Sequence, residues 1–229
     1  MDQSEDLSNN KPPVPLPGTI SSIRIQKNNP DRVSIFVDGV FLIGVTQKAV
    51  LDYNLAKGTS INLALYKELN QVDTVSKLEQ YFLRLLARRM YVSSDLFQKA
   101  KNKDYAEATI TSVIRKFTDK GWIDDHAFAL AFARDKYHLN QWGPYKIKSA
   151  LQAKGLPSKF INKAINEVFD KANSRETFEQ LVKKRKRHFL REEDYLKRKK
   201  KVMDYLLRKG FSAEAISKHL DDLMKMIKG

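Results

Sequence analysis

Hydrophobic and polar positions along this chain follow two different rhythms. From Ile20 the period is two: Ile23 and Ile25 share a face, as do Val33, Ile35 and Val37, and an apolar run follows from Val40 to Val45. Alternation of this kind predicts half-buried strands. The last two runs are separated by Asp38-Gly39. Asp-Gly suits a type I′ turn, whose two central residues both need positive φ, so a hairpin is predicted there. A short helix from Gln47 to Leu55 and a piece near Ile61 complete a small β-rich unit over residues 19–72.

After about Val72 the period becomes helical and stays so to the end. Leu78, Phe82, Leu85 and Leu86 recur at three- and four-residue steps, as do Ile110, Val113, Ile114 and Phe117, and later Ile161, Ala164, Ile165 and Val168. Similar stripes pass through Phe178, Leu181 and Val182 and through Ile216, Leu220, Leu223 and Ile227. About eight or nine short helices follow from this spacing. Three segments also share a phase: Leu151, Gly155, Leu156, Ile161, Ile165; Leu206, Gly210, Phe211, Ile216, Leu220; and, in weaker form, Ala100, Asp104, Tyr105, Ile110, Ile114. Gly155 and Gly210 fall where a helix ends in a left-handed conformation, and Ser158 and Ser212 are expected to cap the helix that follows. The fold class is therefore mainly α: three tandem three-helix repeats over 73–124, 125–173 and 174–229, forming an elongated body behind the hairpin-containing unit. Residues 1–18, with Pro12, Pro13, Pro15, Pro17 and Gly18 among polar residues, read as a disordered tail.

Composition narrows the function. The chain has no cysteine, which removes disulfides, thiolate nucleophiles and Cys-based zinc sites. Its start, MDQSEDLSNN, has no apolar core of a leader, and no apolar stretch approaches the roughly 18 residues of a membrane span, so a cytoplasmic protein is expected. The 42 Lys+Arg against 27 Asp+Glu leave a formal charge of +15. Residues 171–229 hold 18 basic and 9 acidic residues, a net +9 by difference, so over half the excess sits in the last quarter of the chain. Such a balance implies attraction to a polyanion, with nucleic acid the first candidate.

Candidate chemistry is sparse. His126, His138, His188 and His219 lie far apart, and no phosphate-cradling GxxxxGK[ST] loop or post-strand GxGxxG is present. No catalytic site, cofactor or metal is expected. Basic clusters are the stronger signal: Arg88-Arg89, Lys146 with Lys148, Lys183-Lys184-Arg185-Lys186-Arg187, and Lys197 to Lys201. Lys183, Lys184 and Arg187 recur at i, i+1 and i+4, which places them along one side of a helix where they could track phosphates. Tyr145 and Trp142, beside Lys146, are candidates for base stacking, with corner packing the plainer role for Trp142.

One segment joins the first repeat to the second: Gly121-Trp122-Ile123-Asp124-Asp125, followed by Phe128-Ala129. Gly121 is expected to end a helix, Trp122 and Ile123 to pack in the corner, Asp124 or Asp125 to cap the next helix, and Phe128 to enter the core. Metal ligation by the two aspartates is the other reading, without further carboxylates to support it.

The segment resembles the hallmark of the RecX family, in which a Gly-aromatic-Ile-Asp-Asp turn precedes a Phe-Ala helix. The resemblance extends to Leu86-Ala87-Arg88-Arg89, Ser94 and Leu96 before it and to Gly143, Ile147, Leu151, Gly155 and Leu156 after it. It covers roughly residues 73–170, and the β unit resembles an N-terminal extension that some members carry. Lys136 departs from the pattern, standing where an arginine is expected; it keeps the charge but not the bidentate fork. The resemblance implies a curved, right-handed stack of repeats lodged in the groove of the RecA filament on DNA, suppressing ATP hydrolysis, strand exchange and repressor cleavage. It implies a monomeric, non-enzymatic partner of RecA and of single- and double-stranded DNA. The residues expected to touch RecA or DNA are Arg88, Arg89, Lys136, Lys146, Lys148, Lys183, Lys184, Arg185, Arg187, Lys199 and Lys200. A stand-alone helix-turn-helix DNA-binding protein is the alternative, and it would need a recognition helix rich in Arg, Asn and Gln.

Overall fold

Asp38 and Gly39 take φ of 49° and 79° in the computed structural model, which describes residues 12–170 and 174–228, and Val37 pairs with Val40 across the turn. The hairpin is thus the one that its dipeptide predicts. Strands β1 (Gly18–Gln26), β2 (Asn29–Val37), β3 (Val40–Thr46) and β4 (Ser60–Ile61) form an antiparallel sheet in the order β3-β2-β1-β4. Its inner face buries Ile20, Val33, Ile35, Val37, Ile43 and Val45. Ile23 packs against this core, whereas Ile25, which pairs with Val33 near the end of β1, is 67% exposed. Residues 1–11 of the segment expected to be a disordered tail lie outside the described residues. In the remainder Val14 is buried and Leu16 packs against the same core, and β1 already begins at Gly18.

The chain divides into two compact units. One runs to Arg89 and takes in Leu96–Lys120; the other is Met90–Asp95 with the chain from Gly121 on. In the first, α1 (Gln47–Asp52) leads through β4 to α2 (Leu63–Leu86), whose N-terminus is capped by Asn62 accepting from the Leu65 N–H. The position expected to separate β unit from helices, 72/73, falls inside this 24-residue helix. Its first half gives Tyr66 and Leu69 to the sheet core. Its second half buries Leu78 and Phe82, with Phe82 edge-on to Phe117 of α4 (Glu107–Asp119) at 6.0 Å. Between the halves, Asp73 faces Arg32 of β2 at 2.7 Å in a buried ion pair.

In the second unit α5 (Asp125–Asn140), α6 (Pro144–Ala153) and α7 (Ser158–Phe169) close around Ala129, Ala133, Ile147, Leu151, Ile161 and Ala164. The chain continues through α8 (Ser174–Lys184), α9 (Lys186–Leu190), α10 (Tyr195–Lys209), α11 (Ala213–Ser217) and α12 (Leu220–Lys228), which share a core of Phe178, Val182, Phe189, Leu206, Phe211 and Leu223. Here the first and third helices of the expected triple are each broken in two. With α3 (Ser93–Lys101) the described residues hold twelve helices, so the molecule is mainly α behind a small sheet.

The shared phase of the three segments corresponds to a shared geometry. Asp104, Gly155 and Gly210 have φ of 61°, 74° and 95°. The next residue in each case, Tyr105, Leu156 or Phe211, donates its N–H to the carbonyl five residues back at 3.3 Å, the closure of a Schellman motif. The residues that then start the following helix, Ala106, Pro157 and Ser212, occupy equivalent cap positions. Ser212 accepts from the Ala215 N–H as expected, but Ser158 does not cap: it is the first residue of α7, one step past Pro157. Equivalence counted from the left-handed residue, rather than the nearest serine, identifies the cap.

Candidate nucleic-acid interface

The corner before α5 organises its surroundings through backbone and carboxylates. Gly121 has φ of 69°, Ile123 is buried, and Asp124 accepts from the Ala127 N–H at 2.8 Å as the N-cap of α5. Asp125 turns instead to the Ser93 N–H at 2.8 Å, capping the start of α3. Both aspartates therefore serve helix termini. Trp122, expected to pack in the corner, is 47% exposed. Phe128 is half-buried against the α5–α7 core, stacked on Phe132, and Ala129 is fully buried.

Farther along, α6 begins against the end of α10. The Gly143 N–H donates to the Lys209 carbonyl at 2.7 Å and the Tyr145 N–H to the Gly210 carbonyl at 3.0 Å. A Cβ on Gly143 would lie 2.4 Å from the Gly210 backbone, and one on Gly210 would lie 2.4 Å from Lys146 Cβ. Two glycines thus permit a backbone-to-backbone approach that no other pair allows. At the other end of α6, Ser94 Oγ donates to the Lys154 carbonyl, and its side chain packs against Gly155.

This docking gathers cations from four helices. Gln141, the left-handed C-cap of α5, is buried; its Nε2 donates to Gln180 Oε1 at 2.8 Å and its Oε1 accepts from Lys184 Nζ at 2.9 Å. Lys209 Nζ donates to the Asn140 carbonyl at 3.0 Å. The Lys146 ammonium lies 4.5 Å and the Lys136 ammonium 5.3 Å from the Trp142 ring, and the Arg185 guanidinium lies 4.9 Å from the Tyr205 ring. Burial pushes the Lys209 ammonium below the usual lysine range, and the positive fields of Lys146, Arg185 and Lys184 push the same way. Burial also raises the Tyr205 phenol, against the opposing field of Arg185. Among the described residues none of Lys136, Lys146, Lys184, Arg185 and Lys209 meets a carboxylate in an ion pair, whereas Lys199 is bridged to Asp221 at 2.7 Å and Lys201 to Glu192 at 2.6 Å. Tyr145, 61% exposed, stands beside the cluster.

Lys136, Lys146, Lys184 and Arg185 come together. Lys183 and Arg187 line an adjoining open cavity of about 830 Å³ with Lys184 and Arg185, but they do not share a helix side. The helix breaks at Arg185 (φ −115°, ψ 12°), so α8 ends at Lys184 and α9 begins at Lys186; the break lets Phe189 reach the core that Val182 already occupies. Lys148 is half-buried on α6 and Lys200 exposed on α10, and Arg88 and Arg89 are exposed beyond α2 in the first unit. Of the second basic run, Arg198 donates to the carbonyls of Glu192 and Glu193 and Lys199 is bridged, so that run is largely spent within its own unit. Sequence reasoning missed Gln141 and Lys209. Gln141 carries no signal, being a left-handed residue that is not glycine. Lys209 had one, because a lysine precedes each left-handed corner at Lys103, Lys154 and Lys209. Among the described residues no His, Asp or Glu group is placed to hold a metal ion, and no helix is long and apolar enough to cross a membrane.

Comparison with known proteins places this geometry. The family model for the regulatory protein RecX N-terminal domain matches residues 18–62, that for the RecX second three-helix domain residues 124–165, and that for the third residues 174–220. Regulatory protein RecX of Clostridioides difficile (strain 630) is 30% identical over 207 residues, covering 90% of this chain and 96% of that protein. Its counterpart in Geobacillus thermodenitrificans (strain NG80-2) is 29% identical over 212 residues, covering 90% and 77%. A crystal structure of regulatory protein RecX is similar with a TM-score of 0.78 at 26% identity, over 90% of this chain and 99% of that one. The crystal structure of RecX from Lactobacillus salivarius shares the fold at a TM-score of 0.60 and 24% identity, over 68% and 97%. The matched segments include the docked glycines Gly143 and Gly210 and the cations Lys184 and Lys209.

Proposed function

The chain belongs to the RecX family of regulatory proteins, and on that premise we propose that it binds the RecA nucleoprotein filament and restrains it. RecA ATP hydrolysis, strand exchange and RecA-dependent repressor cleavage fall while it is bound, which tempers recombinational repair and the SOS response. It acts as a cytoplasmic monomer, on an ATPase rather than as one.

The observation that supports a polyanionic partner is the cluster of Lys146, Lys184, Arg185 and Lys209, which converge without a carboxylate ion pair among the described residues. Like charges held together cost stability, and the cost is recovered when phosphates or acidic side chains enter and release counterions. A filament offers such groups periodically. Once one contact forms, the effective concentration at the next rises, so weak contacts along several helices suffice without an enclosed pocket.

RecA ATP hydrolysis on single-stranded DNA, followed while this protein is titrated from substoichiometric amounts, tests the reading, with DNA integrity checked on a gel. Hydrolysis is expected to fall with the DNA intact; unchanged hydrolysis at equimolar protein would sink the proposal. Replacing Lys184, Arg185 and Lys209 by alanine together is expected to raise the protein concentration needed for half-inhibition by about tenfold and to flatten its salt dependence, since two or three fewer phosphates are then neutralised. Inhibition that still occurs at the original concentration and salt slope would remove this cluster from the interface.

A further inference from the structure

The first unit contains a separate cleft. Lys77, Gln80, Tyr81 and Arg84 recur on α2 at steps of three, four and seven residues, which sets them on one face. Opposite them stand Lys103 and Tyr105, either side of the left-handed Asp104 between α3 and α4. These six residues line an open cleft of about 230 Å³. The Lys103 ammonium lies 5.3 Å from the centre of the Tyr81 ring. Lys77 is held by Asp73 at 3.3 Å, whereas Arg84 and Lys103 meet no carboxylate in an ion pair among the described residues. The Tyr105 phenol is half-buried, and burial, the largest influence, pushes its pKa up, so the hydroxyl remains a hydrogen-bond donor at neutral pH.

From this juxtaposition of two phenol rings, an amide and two unbridged cations we infer that the cleft binds a nucleotide unit of a single-stranded nucleic acid. Each part matches a need of that ligand. Arg84 and Lys103 suit the phosphate, a tyrosine ring suits a base face of any sequence, and the Gln80 amide and the tyrosine hydroxyls suit base edges or sugar. The cleft is smaller than the roughly 300 Å³ at which pockets for free small molecules begin, and it is open, which fits one unit of a polymer lying across the surface rather than an enclosed metabolite. An acidic protein loop would use the cations but leave both rings idle. The inference extends the reading of a nucleoprotein partner and rests on nucleic acid being part of it, although binding at the cleft itself requires no RecA.

Two measurements on the full chain test it. The first is photo-crosslinking to a 5-iodouracil-substituted oligonucleotide with mass-spectrometric mapping, which is expected to mark Tyr81 or Tyr105. The second is oligo(dT) binding by fluorescence anisotropy across a salt series without RecA. Arg84→Ala with Lys103→Ala is expected to weaken binding about tenfold and to reduce the slope of log K against log salt by about 0.7 for each phosphate no longer neutralised. Tyr105→Phe, which keeps the ring, is expected to weaken it about threefold, the scale of one hydrogen bond. Unchanged affinity and slope in the folded double variant would overturn the inference, as would crosslinks confined to the second unit. If the double variant bound oligo(dT) normally yet inhibited RecA less, the cleft would take a protein surface instead, and the inference would fall while the filament reading stood. If it failed to bind oligo(dT) but inhibited RecA normally, the inference would hold and the surface that meets the filament would have to be sought elsewhere.

Discussion

In the first unit Arg32 is drawn into the protein and answered at once: Asp73 faces it at 2.7 Å, Lys77 shares the carboxylate, and the Gly44 carbonyl accepts from the guanidinium. In the second unit Lys146, Lys184, Arg185 and Lys209 converge with a buried glutamine and a backbone carbonyl as their uncharged partners. The contrast separates two uses of a cation. A buried charge that serves the fold has to be neutralised, because desolvation is not otherwise recovered. A cluster left with only dipoles around it is costly to the free protein and favourable to whatever anion arrives.

Removing the neutralising partner in the first unit is expected to have the largest effect. Asp73→Ala would leave Arg32, 8% exposed, without its counter-charge and should cost about 3–5 kcal/mol, read as a lowered midpoint in urea. A loss below about 1 kcal/mol would show that Arg32 finds solvent, and the contrast between the units would weaken.

The joint that assembles the cations in the second unit comes next. Gly210→Ala combines a φ of 95° with a Cβ placed 2.4 Å from Lys146, and is expected to cost about 2–4 kcal/mol by strain and overpacking together. Gly121→Ala, with φ of 69° and open space around the new Cβ, should cost only the conformational part, about 1–2 kcal/mol. Equal losses in thermal melts would mean that the approach of α6 to α10 is not tight.

The smallest effect carries a distinctive sign. Because the folded-state pKa of Lys209 lies below the ordinary 10.5, the unfolded chain binds the proton more tightly in the window between the two values. Lys209 therefore penalises folding fully below that window, and the penalty is relieved as pH rises through it towards 10.5. Lys209→Gln is expected to stabilise the protein at neutral pH by about 0.5 kcal/mol, a screened surface-scale effect. The gain should shrink in melts as pH rises through the lowered folded-state value towards 10.5, while affinity for polyanions falls. Destabilisation that is independent of pH would instead make the bond to the Asn140 carbonyl the residue's main role.

The hairpin, the helical remainder and the left-handed corners at Gly155 and Gly210 were legible in the sequence, since each depends on local chemistry: Asp-Gly sets a turn, period sets strand or helix, and glycine tolerates positive φ. Asp104 shared their phase in the sequence, and its left-handed conformation is a finding of the structure. The candidate interface was half legible. Lys146, Lys184 and Arg185 stood out as parts of basic clusters, but so did Lys199, whose charge is taken up by Asp221. The neighbouring Lys183 and Arg187 lost their shared helix side to the break at Arg185, which lets Phe189 reach the core.

Composition, period and turn residues, acting through backbone conformations set within a few positions, were therefore enough to establish a basic, mainly helical protein with a β-hairpin at its front and corners repeating at regular intervals. They could not say which cations stand together, because that depends on contacts between residues far apart in the chain. The approach of Gly143 to Gly210 brings Lys146 to Lys209, Gln141 reaches Lys184 across 43 positions, and Arg84 and Lys103 line one cleft only because α2 packs beside the α3–α4 corner. Whether a lysine is neutralised or left for a partner is decided by the carboxylates that packing brings within about 4 Å of it, and no local pattern encodes that distance.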